Sequence, residues 1–174
     1  MEIQTIASFL DYRAKIGQRT DRLVDLVPPD QLEWSCRPGG FSIGDTIRHL
    51  AAIERYLYAE IVAGRPSAYA GCGRNLADGP VQVRSFYQRL RAESTAIFSG
   101  LTDGDLNRKC RTPGNGQITL WKWLRALLEH EIHHRGQLYV YLGLLDVPTP
   151  PIFGLTSEEV IGLSGPGQQG LTTT

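Results

Sequence analysis

Histidine is the residue type with the clearest chemical potential in this sequence. The chain holds four histidines, and three of them, His130, His133 and His134, fall within five residues. On an α-helix, residues four apart lie one turn apart and about 40° around the axis, so His130 and His134 project from the same face. A neutral imidazole nitrogen is a good ligand for zinc, nickel, copper or iron. The spacing therefore predicts that this pair chelates a divalent metal ion.

A third ligand is needed, and His49 is the only histidine elsewhere in the chain. It lies on the flank of a predicted helix that can face a neighbouring helix. Three imidazoles leave coordination positions open for water or substrate, which is typical of catalytic rather than structural sites. A bound ion lowers the pKa of water or of a substrate thiol. His133 points about 60° away from His130, so we expect it beside the site or at the surface.

A second interpretation of the same residues is a metalloprotease site. Residues 130–134 read His-Glu-Ile-His-His and match the pattern H-E-x-x-H, in which the glutamate is the general base. In this interpretation Glu131 is the general base, Glu158 or Glu159 is the third metal ligand, and His49 has no role. The motif alone does not decide between the two interpretations.

Four amphipathic helices are predicted to position these side chains. Apolar residues recur at helical spacing over residues 2–27, from Ser42 to about residue 63, from Pro80 to about residue 100, and over 119–145, and no segment shows the period-two alternation of a strand. The pattern predicts an all-α four-helix bundle with long middle connections. A short helix at 156–163 belongs to an irregular C-terminal extension. We expect one domain over residues 1–164 and a flexible tail at 165–174.

Composition excludes several classes of protein. Eighteen basic and eighteen acidic residues give a net charge of zero, so we expect no nucleic-acid partner, since phosphate binding needs a surplus of basic residues. No apolar run reaches the roughly 18 residues of a membrane span, and no secretory leader is evident. Three widely spaced cysteines predict neither a disulfide nor a cysteine-bound zinc. A cytoplasmic protein with reduced thiols is expected.

Two segments of the sequence form a recognisable pair: His-Glu-Ile-His-His-Arg-Gly-Gln at 130–137 and Ser-Ile-Gly-Asp-Thr-Ile-Arg-His-Leu at 42–50. Together they resemble the DinB family of metal-dependent four-helix bundles. The resemblance implies that His49, His130 and His134 hold a divalent metal ion, and that the protein is a homodimer. Related enzymes in this family transfer groups to a low-molecular-weight thiol, which is the small-molecule partner implied here. The Gly-rich segment 64–79 is not accounted for by the motif.

Several other residues near the motif are candidates for the same cleft. Tyr56 and Glu60 follow His49 at helical spacing, and Gln137 shares the face of the two paired histidines. Gly136 lies inside a predicted helix, where glycine costs roughly 1 kcal/mol relative to alanine, so we expect it to allow another element to approach closely.

The sequence therefore favours an enzyme in which a divalent metal ion, zinc, nickel or similar, activates a thiol or water. A thiol-dependent S-transferase and a hydrolase fit the pattern equally. The alternative from another class is a non-catalytic, stress-responsive bundle that binds a metal or a small ligand.

Overall fold

The fold is a four-helix bundle, as predicted, and the computed structural model describes residues 2–164. The expected flexible tail at 165–174 lies outside the described residues. The helices, in chain order, are α1 (Ile6–Leu26), α2 (Ile43–Ile53), a π-helical segment (Glu54–Ala59), α3 (Glu60–Val62), α4 (Pro80–Ser99), α5 (Leu120–Leu144) and α6 (Ser157–Leu163). One long helix of the bundle consists of three consecutive parts: α2, the π-helical segment and α3.

Local sequence signals set where two of the long helices begin. At the start of α2, the Asp45 amide donates to the Ser42 hydroxyl at 2.9 Å, and the Ser42 amide donates to the Asp45 carboxylate at 3.1 Å. This capping box satisfies two amides that the helix leaves unpaired. At the start of α4, Gly79 adopts a φ of 83°, which glycine tolerates best, and Pro80 opens the helix.

The order of the helices around the bundle differs from their order in the chain. Helix α1 packs mainly against α4 and α5, and α2 also packs against α4 and α5. Consecutive helices α1 and α2 therefore lie diagonally across the bundle, as do α4 and α5. This arrangement makes α2 and α5 neighbours, so that their facing residues can form one site.

Two apolar clusters fill the bundle, with buried charges between them. One cluster includes Phe9, Phe98 and Leu124, and the other includes Leu23 and Leu90. The buried charged residues between the clusters form a network of ion pairs that links α1, the π-helical segment, α4 and α5: Arg13 with Glu54, and Arg91 with Glu54 and Glu131. Pairing is required here because an unpaired buried charge is strongly destabilising.

The described residues also contain one small β-element that the sequence did not predict. Two short strands, β1 (Lys109–Arg111) and β2 (Gln117–Thr119), pair antiparallel with Cys110 opposite Ile118. Three residues are too few for alternation to be visible in a sequence. In the turn between the strands, Gly114 and Asn115 adopt φ values of 82° and 65°.

Two further features of residues 2–164 are the hydropathy of the helices and the state of the cysteines. No helix among residues 2–164 has the length and apolar character to cross a membrane. Cys36 is an exposed free thiol, and Cys72 and Cys110 are free thiols within the fold.

Candidate metal centre

Three imidazoles meet between α2 and α5. The Nε2 atom of His130 lies 3.0 Å from Nε2 of His49 and 3.1 Å from Nε2 of His134. His130 and His134 occupy successive turns of α5, and His49 reaches them from the adjacent α2. The structure thus brings together the three residues that the sequence singled out as ligands.

The environment keeps these imidazoles neutral. His49 and His134 are only 9% and 8% exposed. Burial and the nearby His134 lower the pKa of His49 to about 4, and burial with the neighbouring histidines lowers the pKa of His130 to about 3. The pKa of His134 is also lowered, chiefly by burial. Since only the neutral imidazole has a lone pair to donate, all three are available as ligands at pH 7.

Hydrogen-bond partners orient two of the three rings. The Nδ1 atom of His134 lies 2.6 Å from Oε1 of Gln137, and Nδ1 of His49 lies 2.7 Å from the Tyr69 hydroxyl. The Gln137 carbonyl oxygen only accepts, so His134 donates from Nδ1 and its Nε2 carries the lone pair. The same assignment for His49 makes the Tyr69 oxygen the acceptor. Such partners on the outer nitrogen are typical of metal-binding histidines.

The arrangement fits a small divalent cation. Ligand nitrogens about 2.0–2.1 Å from a tetrahedral zinc ion are separated by about 3.3 Å. The two Nε2 separations of 3.0 and 3.1 Å approach that value. Three inward lone pairs repel one another unless protons or a cation lie between them. The donor set therefore suits zinc, nickel or a similar ion, with positions open for another ligand.

The Gly-rich segment 64–79 contributes to this centre. It carries Tyr69, whose ring also packs edge-on against His49 with centroids 5.7 Å apart. The fully buried Arg48 holds the segment in place: its Nε donates to the Cys72 carbonyl at 2.8 Å and its Nη1 donates to the Ala77 carbonyl at 3.1 Å. The sequence does not predict a role for Tyr69, because the segment has no periodicity that would place its side chains.

The π-helical segment changes which residues face the histidines. Tyr56 and Glu60 were expected at the cleft, but Glu60 pairs with Arg55 and Arg65, and Tyr56 packs against the second apolar cluster. Tyr58 instead lies beside His130, with ring centroids 6.0 Å apart. A π-helical turn has i to i+5 hydrogen bonds and thus accommodates one extra residue. This insertion shifts the helical register after residue 53.

The structure does not support the metalloprotease interpretation. Glu131 is buried on another face of α5, where it accepts a hydrogen bond from Thr20 at 2.8 Å and pairs with Arg91 at 3.2 Å. It therefore does not serve as a base beside the histidines. Glu158 and Glu159 are exposed on α6, outside the histidine cluster.

Two expectations for the residues after His134 have different outcomes. Gln137 was expected on the histidine face, and its Oε1 atom contacts Nδ1 of His134 there. Gly136 was expected to allow close approach, but it is exposed, and a Cβ there would meet nothing within 4 Å. The structure gives no packing reason for this glycine.

Comparison with known proteins identifies relatives of the whole bundle. The sequence profile of the DinB superfamily matches residues 14–138. The uncharacterized protein YjoA of Bacillus subtilis (strain 168) is 23% identical over 142 residues, which cover 80% of this chain and 87% of YjoA.

Solved structures share the fold. A DinB-like protein from Bacillus cereus ATCC 10987 superposes with a TM-score of 0.72 at 18% identity, covering 85% of this chain and 97% of that one. YjoA superposes with a TM-score of 0.67 at 19% identity, covering 83% and 96%. YfiT from Bacillus subtilis superposes with a TM-score of 0.65 at 19% identity, covering 82% of this chain and 89% of YfiT. It is described as a probable metal-dependent hydrolase with an unusual four-helix bundle topology.

Proposed function

This chain belongs to the DinB superfamily, and we propose that it is a metal-dependent enzyme whose His49, His130 and His134 hold a divalent ion. The observation that carries the proposal is the convergence of three neutral imidazoles whose Nε2 atoms lie 3.0 and 3.1 Å apart in succession. The description of YfiT as a probable metal-dependent hydrolase is compatible with it.

The nucleophile is a small molecule rather than a side chain. A divalent ion at this centre would supply a Lewis acid that lowers the pKa of water or of a thiol. Two tyrosines beside the imidazoles, Tyr58 and Tyr69, have pKa values raised by burial to about 12. They therefore keep their protons at neutral pH and can donate hydrogen bonds, but they do not act as general bases.

These neutral surroundings favour a low-molecular-weight thiol as the nucleophile. A free thiol has a pKa of about 8.5, whereas that of bulk water is 15.7. A thiol therefore needs a smaller lowering of its pKa by the ion than water does to lose its proton at neutral pH. Water is the second candidate, and the name given to YfiT is the observation that favours it.

The proposal is tested by metal analysis followed by two activity screens. The purified protein is assayed for bound metal, then for consumption of thiols such as glutathione, cysteine and coenzyme A with a panel of electrophiles, and for hydrolysis of esters and amides. We expect stoichiometric metal and turnover in one screen, with both lost in His134→Ala. Turnover that survives this substitution would refute the proposal, and stoichiometric metal without turnover in either screen would favour a non-catalytic binding protein.

A further inference from the structure

A cleft of about 620 Å³ lies between the end of α3 and the β1–β2 hairpin, away from the histidines. Its walls are formed by Ile61, by residues 64–67 and by residues 108–115. His130 lies ten residues along α5 from Leu120, which follows the hairpin directly, and ten helical residues span about 15 Å. The volume is within the range of small-molecule sites.

The walls of this cleft are basic. Four cations line it, Arg65, Arg108, Lys109 and Arg111, and none of its lining residues carries a carboxylate. The whole chain has a net charge of zero, so this concentration of one sign is local. Clefts lined by one sign of charge focus the field and attract ligands of the opposite sign.

Two of the four cations are available for a ligand. Arg65 pairs with Glu60, and Arg108 pairs with Asp105. Lys109, by contrast, donates to a neutral hydroxyl, Oγ1 of Thr119, at 2.8 Å. Arg111 forms no ion pair with any of residues 2–164. The cleft therefore keeps about two uncompensated positive charges.

The hairpin holds these two charges at a fixed spacing. Lys109 and Arg111 are exposed residues on the same face of β1, and the buried Cys110 lies between them. Residues two apart on a strand are separated by about 6.6 Å. This spacing suits an anion with two or more charged groups. The neutral polar side chains of Ser67, Thr112 and Asn115 also line the cleft and offer hydrogen bonds.

From this geometry we propose that the cleft binds a small multivalent oxyanion, bearing phosphoryl or carboxylate groups, between β1 and the chain that follows α3. Lys109 and Arg111 supply the charge that binds it. The site is separate from the histidine centre and does not depend on the activity proposed for that centre.

The test is a titration of the full-length ¹⁵N-labelled protein with pyrophosphate and, in a second arm, citrate, followed by amide chemical shifts at low ionic strength. We expect saturable shifts that concentrate at residues 108–116. Lys109→Gln with Arg111→Gln should weaken binding about tenfold or more, since hydrogen bonds between a cation and an oxyanion are roughly twice as strong as neutral ones. Stronger binding of pyrophosphate assigns the site to phosphoryl groups, and stronger binding of citrate assigns it to carboxylates.

A matched control removes the same charge elsewhere. Lys15→Gln with Arg22→Gln alters two exposed cations of α1 and should change the affinity less than twofold. Arg111→Gln alone serves if the double variant of the hairpin does not fold. Absence of saturable shifts in the wild type, shifts confined to residues around the histidines, or equal weakening in the α1 control would each overturn the proposal.

Discussion

Removal of His49 tests the metal centre most directly, because this residue distinguishes the two interpretations of the histidine motif. His49→Ala leaves only the pair on α5, His130 and His134, as ligands. Structural zinc sites with four ligands gain about 10–16 kcal/mol from the ion, or about 3 kcal/mol per ligand. Because 1.4 kcal/mol is a tenfold change, we expect the affinity for zinc to fall about a hundredfold or more.

The affinity is measured by competition with a chromophoric chelator after identical dialysis of every variant. His133→Ala is the matched control, since His133 is exposed and its ring lies against His134 without belonging to the cluster. Glu158→Gln with Glu159→Gln removes the ligands of the metalloprotease interpretation. Both controls should bind zinc as the wild type does, and circular dichroism checks that each variant is helical.

Either of two results would refute the assignment of His49 as the third ligand. Zinc affinity that is unchanged in His49→Ala would show that the third imidazole is not a ligand. Zinc lost in the glutamate variant and retained in His49→Ala would place the third ligand on α6 and contradict the geometry between α2 and α5.

Three further predictions rest on contacts within the bundle, and a fourth, on the oligomeric state, rests on the family resemblance. Tyr69→Phe should weaken metal affinity about tenfold to a hundredfold, because it removes the hydroxyl beside Nδ1 of His49; an unchanged chelator titration would contradict this role. Glu131→Gln should destabilise the protein by about 3 kcal/mol in urea unfolding, because Arg91 loses a buried partner, while the metal content per folded molecule stays the same. The metal-free protein should be less stable at pH 5 than at pH 7, by at most about 2 kcal/mol for each of His49 and His130. The pKa values of both residues are lowered in the folded state. As the pH falls below about 6.5, the unfolded chain therefore takes up protons before the folded protein does. Urea unfolding at both pH values measures this, and a His130→Gln variant with an undiminished pH dependence would argue against it. Light scattering should give the mass of a homodimer at micromolar concentration, and a monomer mass would reject that expectation.

Sequence periodicity was sufficient to predict the four long helices, because each of them buries one face along its whole length. Local sequence was enough to predict the starts of two helices, at Ser42 and Pro80, and the short C-terminal helix. The hairpin was missed because strands of three residues carry too little pattern. The π-helical turn was missed because its extra residue leaves no compositional trace, and it put Tyr58 where Tyr56 was expected.

The sequence by itself determined the bundle and the shared face of His130 and His134, because both depend on residues within a few turns of one helix. It also supplied His49 as a candidate, since this is the only histidine outside residues 130–134. Only the tertiary structure decided that α2 and α5 are neighbours, that Tyr69 orients His49, and that Glu131 belongs to the buried ion pairs. These contacts join residues far apart in the chain or select one face of a helix, and helix packing rather than local sequence fixes them.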